Sequence, residues 1–157
     1  MEERVTAHLR RAVELAEESV AAGGGPFGAV LVMPDGRTFE ASNRVTLEND
    51  PTAHAEVMAI RRACRELGVF ELRDATLYAS CEPCPMCLAA SLWARVGSVY
   101  FAADRFAAAR AGFSDAEFYD YLAGTADPSV MPVEQLPIPD AERPFDRWRA
   151  APDRVEY

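Results

Sequence analysis

Phe27-Gly28-Ala29-Val30-Leu31-Val32-Met33 runs without a charge into Pro34-Asp35-Gly36, and the chain then returns through Arg37–Asn43. An apolar run, a Pro-Asp-Gly turn and a second extended run describe a β-hairpin. Further strands are expected at Ala75–Ser80 and Val96–Ala103. These are separated by helical stretches, so they require right-handed crossovers and a mainly parallel arrangement. A hairpin joined to such a half makes the sheet mixed. The pattern predicts an α/β fold, a three-layer α/β/α sandwich with a mixed sheet of about five strands.

The helical segments are read from their periodicity and their stops. Over residues 2–22, Val5, Leu9, Ala12, Val13, Ala16 and Val20 share one face, and Gly23-Gly24-Gly25-Pro26 ends the helix. Asn49-Asp50-Pro51-Thr52 leads into a helix over about 53–67, which Gly68 stops. Pro85 suits the first turn of the next helix, which reaches about Arg95. Two short helices follow over about 104–111 and 114–123, separated by Gly112-Phe113. The tail from Asp127 holds six of the eleven prolines. A short strand near Val130–Leu136 and a helix near Ala141–Ala150 are expected there.

With 157 residues, half of them apolar and about a quarter charged, residues 1–157 suit one domain with a real core. No apolar run approaches the ~20 residues of a membrane span, and the start Met1-Glu2-Glu3-Arg4 is unlike a secretory signal. The net charge of −9 argues against a polynucleotide partner, which calls for a basic patch. All sixteen basic residues are arginine, from which no function follows. Three of the four cysteines crowd into Cys81–Cys87, whereas a disulfide scaffold spreads them along a secreted chain. A reducing cytoplasm and a metal site are expected.

His54-Ala55-Glu56 and Pro83-Cys84-Pro85-Met86-Cys87 supply that site. Cys84 and Cys87 are one helical turn apart, so both sulfurs can reach one ion. Zinc takes nitrogen and sulfur in a tetrahedron, and a catalytic site leaves the fourth position to water or hydroxide. Glu56 is then a spare carboxylate that can move protons. His54 and Glu56 can cooperate only near a helix start, where one points at the metal and the other at its water. An isolated histidine would be read as a packed core residue, and an isolated Cys-x-x-Cys as a redox pair or half of a structural zinc site. Cys81 could complete a structural Cys3His set, although Glu82-Pro83 stiffens the chain before Cys84. Cys81 and Cys64 otherwise read as small packed side chains, and His8 as a surface or partly packed residue.

H-x-E followed by P-C-x-x-C resembles the signature of the zinc deaminases. Asn49–Arg61 and Ser80–Leu88 resemble the core of the cytidine deaminase superfamily. Those segments do not choose among its tRNA adenosine, cytosine and guanine deaminases. Ala111-Gly112-Phe113-Ser114-Asp115, with Pro144-Phe145, Trp148-Arg149 and the ending Glu156-Tyr157, resembles the bacterial guanine deaminases over nearly the whole chain. That family commonly has two acidic residues where Ser114-Asp115 stands here, and glycine where Ala89 stands.

The resemblance implies one Zn2+ per subunit on His54, Cys84 and Cys87, with Glu56 and Asp115 catalytic. It implies a substrate set of Asn43, Phe27, Ala55, Trp93 and Tyr157. It also implies a homodimer in which 127–157 crosses to the partner and Tyr157 closes the pocket. By residue type alone, Asn43 also suits a turn, Asp115 a helix cap, and Phe27, Trp148 and Tyr157 core packing. Hydrolysis of guanine to xanthine and ammonia is the activity implied, with a small purine base as ligand. Alternatives are a deaminase of cytosine, guanosine, a triazine such as ammeline or tRNA adenosine, or a non-catalytic zinc-stabilised interaction domain.

Overall fold

The computed structural model describes residues 2–157. Helix α1 (Glu2–Ala21) buries Ala12, Leu15, Ala16 and Ser19 along one stripe. Gly23, with φ 87°, then turns the chain toward the hairpin of β1 (Gly28–Val32) and β2 (Thr38–Ser42). The remaining elements are α2 (Val45–Glu48), α3 (Ala55–Leu67), β3 (Thr76–Cys81), α4 (Pro85–Trp93), β4 (Ser98–Ala103), α5 (Arg105–Arg110), α6 (Asp115–Leu122) and α7 (Arg143–Ala150).

The sheet has the order β2-β1-β3-β4. β1 is antiparallel to both its neighbours, and β3 and β4 are parallel. Three strands therefore point one way and β1 runs against them, so the sheet is mixed as expected. Side chains alternate between its two faces. Ala29, Leu31 and Leu77 pack with Ala59, Ile60 and Ala63 under α3. Val30 and Tyr78 face Ala12 and Leu15 of α1. Leu31, Leu72 and Leu77 are fully buried, each contributing about 1.5–3 kcal/mol relative to exposure.

Two expectations are corrected. Among the described residues the sheet has four strands, not about five, because Val130–Leu136 forms none. Pro128–Val130 is a single 3-10 turn, and 131–139 takes no regular structure. Pro132, Pro137 and Pro139 carry no N–H and cannot complete a strand ladder. The second correction concerns α3, which starts at Ala55 rather than about 53. Asn49 is a left-handed cap (φ 52°) on the unexpected α2. The Asp50 carboxylate then accepts from the Thr52 N–H at 2.8 Å and its hydroxyl at 2.7 Å. That local turn uses up the residues expected to open the helix, and His54 becomes its N-cap.

Among the described residues, no helix is long and apolar enough to cross a membrane. Helix α1 lies unusually close to the sheet at Gly28, where a Cβ would enter the space of the Ala12 carbonyl and the Ala16 nitrogen. Gly28→Ala is therefore expected to lower the unfolding free energy by about 2 kcal/mol or more, measured by urea denaturation. An unchanged midpoint would show that α1 does not depend on this contact.

Candidate functional site

Two helix starts build the site. His54 is the N-cap of α3, with extended backbone (φ −68°, ψ 153°), and Cys84 is the N-cap of α4 (φ −64°, ψ 167°). Pro85 occupies the first turn of α4, where its missing N–H costs nothing. Cys87 follows one turn on and is fully buried. Glu56 falls in the first turn of α3. Helix N-termini present partial positive charge and unpaired N–H groups, which favour thiolate.

His54 Nδ1 lies 3.5 Å from Cys84 Sγ and 3.4 Å from Cys87 Sγ, and the sulfurs are 3.6 Å apart. Two sulfurs and one nitrogen on a tetrahedral zinc stand about 3.8 Å and about 3.5 Å from one another. The donor set and its spacing therefore fit that metal. Cys81 is not part of the group, since its thiol donates to the Asp104 carbonyl at 3.6 Å. All four cysteines are free.

The sulfur–sulfur hydrogen bond with Cys87 holds the Cys84 group down at about 4, against the opposing effect of burial. Cys87 is pushed up by the same bond and by burial. The Cys84 sulfur in turn raises His54. The pair thus stabilises one thiolate, and a dication would displace the second proton. Burial pushes Glu56 up to about 7, and its Oε2 lies 3.5 Å from Cys87 Sγ. Asp115 is raised by burial, then by the charge of Cys84.

A cavity of about 210 Å³ opens over this cluster. His54, Cys84, Glu56, Asp115, Asn43 and Phe27 line it. Ser114, not Asp115, holds the cap position of α6, which leaves the Asp115 side chain to the cavity. Asn43 Oδ1 accepts from the Val45 N–H at 3.1 Å and the Gly25 N–H at 3.4 Å. Those two donors identify the oxygen and leave the amide nitrogen as the free donor. Phe27 meets Phe113 edge-on, centroids 4.8 Å apart.

Ala55 is buried beside His54. Trp93 and Tyr157 are elsewhere: they face each other at 5.9 Å in a second cavity, with Trp148 and Phe145. The two cavities share no lining residue.

Several lining residues escaped the sequence. Gly25 lies in a glycine run that reads as a helix stop, and Val45 and Thr46 belong to α2, too short for any period. Glu82 stands inside the cysteine motif, a position that offered the one usable signal. It is not a free acid: Arg105 binds both its oxygens and holds its carboxyl below the usual range.

Two helix starts that offer one ion three ligands, with a carboxylate left over in the cavity, define a zinc deaminase. Residues 2–103 match the cytidine and deoxycytidylate deaminase zinc-binding region. The chain belongs to that family, as the resemblance of its motifs implied. It is 49% identical over 150 residues to the guanine deaminase of Bacillus subtilis (strain 168), covering 95% of this chain and 96% of the relative. An X-ray structure of guanine deaminase from Bacillus subtilis superimposes with a TM-score of 0.90 at 48% identity, covering 97% and 98% of the two chains. A tRNA-specific adenosine deaminase of Haemophilus influenzae is 38% identical, covering 72% of this chain and 66% of the relative. A crystal structure in complex with 8-azaguanine has a TM-score of 0.67 and 32% identity, covering 71% and 65%.

Cys84→Ser and Cys87→Ser are each expected to purify with zinc strongly depleted, and Glu56→Gln with zinc retained, by elemental analysis. Full zinc in both cysteine variants would remove this group as the metal site.

Proposed function

We propose that the protein is a zinc-dependent guanine deaminase, converting guanine and water to xanthine and ammonia. The observation that carries the reaction type is a buried acid, Glu56, left over beside a three-donor cluster at the floor of a small cavity. Guanine as the ring rests on the likeness to a guanine deaminase over 95% of the chain, tail included. The 8-azaguanine bound by a structural relative supports it. A cavity of about 210 Å³ is below the usual ~300 Å³ of drug-sized pockets and suits a single base better than a polymer. The net charge of −9 points the same way.

His54, Cys84 and Cys87 would hold one zinc per chain, and the metal would supply Lewis acidity that brings the pKa of a water bound to it to near 7. Glu56 takes a proton from the attacking water as its oxygen bonds to the ring carbon bearing the amine. It passes that proton to the adjacent ring nitrogen. Asp115 relays the remaining hydroxyl proton to the amine. The carbon–nitrogen bond then breaks, ammonia leaves, and the carbon keeps the oxygen as a carbonyl. Burial suits Glu56 to this work, because a carboxylate poised near neutrality both takes and gives protons. The free amide nitrogen of Asn43 donates to an acceptor on the base. Phe27, seated against Phe113, stacks near it, and Ala55 packs in the core behind the cavity wall.

Trp93 and Tyr157 enter through a second copy of the chain. The tail from 127 carries Val133 and Leu136 at 78% and 80% exposure, and apolar residues so placed want cover. We assign 127–157 to a swapped segment of a homodimer that seals the neighbouring pocket and excludes water. Residues 1–157 are then one deaminase domain. A reducing cytoplasm suits its four free cysteines, and the base places it in purine salvage or catabolism.

Ammonia release from a panel of guanine, cytosine, guanosine, ammeline and a tRNA adenosine substrate decides the ring. Guanine is expected to exceed the others by at least about a hundredfold in kcat/KM, and a preference for another member replaces this reading with that one. Glu56→Gln should lose at least about 10²–10⁴ in turnover. Deleting residues from Pro144 onward should abolish turnover with zinc retained. Refolded together, that truncated chain and Glu56→Gln should regain activity that neither has alone. No recovery would sink the swap.

A further inference from the structure

The loop that carries Cys84 is tied to α6 by a clasp that the reaction above leaves without a role. Glu82 Oε2 accepts from the Arg105 backbone N–H at 2.9 Å and from its Nε at 3.1 Å, and Oε1 accepts from Nη2 at 2.7 Å. The Arg105 guanidinium in turn lies 3.4 Å from the centre of the Tyr119 ring. The Tyr119 hydroxyl closes the circuit by donating to the Pro83 carbonyl at 2.6 Å. Glu82 and Pro83 immediately precede the ligand Cys84. Tyr119 is four residues after Asp115, so the two share a face of α6.

Helix α6 needs such a tie. None of its residues is buried, so core packing alone does not hold it. Other contacts of its own face, such as Phe113 at its approach, belong to the cavity wall. The bidentate Arg105–Glu82 pair has side chains only 28% and 16% exposed, and its fork has one geometry. The clasp therefore sets where the Asp115 carboxylate stands relative to the ligand loop.

We infer that Arg105 and Tyr119 are positioning residues that hold Asp115 over the reacting centre by locking α6 to the loop before Cys84. The inference rests on the reading of Asp115 as the proton relay to the amine. The test is a mutant cycle on guanine turnover with zinc content followed in parallel. Tyr119→Phe keeps the ring under Arg105 and removes only the hydroxyl. It is expected to lower kcat about tenfold with KM and zinc unchanged. Arg105→Lys keeps the charge but loses the fork and the stacking, and is expected to lower kcat about a hundredfold. In an Asp115→Asn background neither substitution should lower kcat further, because the group they position is gone. An equal loss in both backgrounds, or a loss that follows zinc content, would make the clasp merely structural and overturn the inference. Failure of the Asp115 reading shows separately: Asp115→Asn alone would then turn over at the full rate, and the inference would fall with it.

Discussion

The site depends on two helix N-termini aimed at the same point. Helices α3 and α4 lie on one face of the sheet, and their first residues deliver His54 and Cys84 within 3.5 Å of each other. Cys87, one turn into α4, completes the set. Their positive ends add to the hydrogen bond with Cys87 in stabilising the single thiolate of the pair. The geometry is fixed by the backbone, because both N-caps hold extended φ and ψ and the helices that follow are packed. Glu56 is the consequence of that economy of space. Two residues beyond the N-cap, its side chain falls into the same cavity and is cut off from water. Burying a carboxylate without a cation partner is costly, and it is tolerated here where a dication would stand beside it.

The core serves that convergence. Leu31, Leu72 and Leu77 anchor β1 and β3 under α3, so the end of β3 and the start of α3 cannot drift apart. On the opposite face Gly28 lets α1 settle against the strand. The periphery is looser. β4 forms an open edge with Tyr100 and Phe101 exposed, and the arm beyond α6 leaves its apolar side chains uncovered. Between core and periphery stands α6, held by Arg105 and Tyr119 rather than by buried area. The candidate metal group and Asp115 thus meet in a cavity whose walls come from five different segments.

Legibility followed the range of the interaction. The hairpin, α1, α3, β3 and α4 were readable because each announces itself locally through alternation, a 3.6-residue stripe, or a Pro or Gly stop. The convergence of His54, Glu56, Cys84 and Cys87 was readable because zinc chemistry restricts which residue types can stand at which spacing. The strand expected at Val130–Leu136 failed because apolar residues along a segment say nothing about a neighbouring edge, and Pro132 within it and Pro137 just after it carry no N–H for a ladder. The four residues of α2 were too few to show a period. Glu82 was visible within its motif, but its neutralisation by Arg105, 23 residues away, was not. Asn43 was a reasonable turn residue by type, and only the Gly25 and Val45 amides reveal which end of its amide is free.

Composition and order alone determined a mixed α/β sheet, a group of one imidazole and two thiols that could hold a metal, and an acid beside them. These follow from short-range periodicity and from the ligand preferences of an ion, both written along the chain. The folded molecule decided which acids are free to act, that Asp115 faces the cavity instead of capping α6, and that Trp93 and Tyr157 gather away from it. Those are matters of which distant segments become neighbours. Burial and hydrogen bonding across the sheet settle them, and no local pattern encodes either.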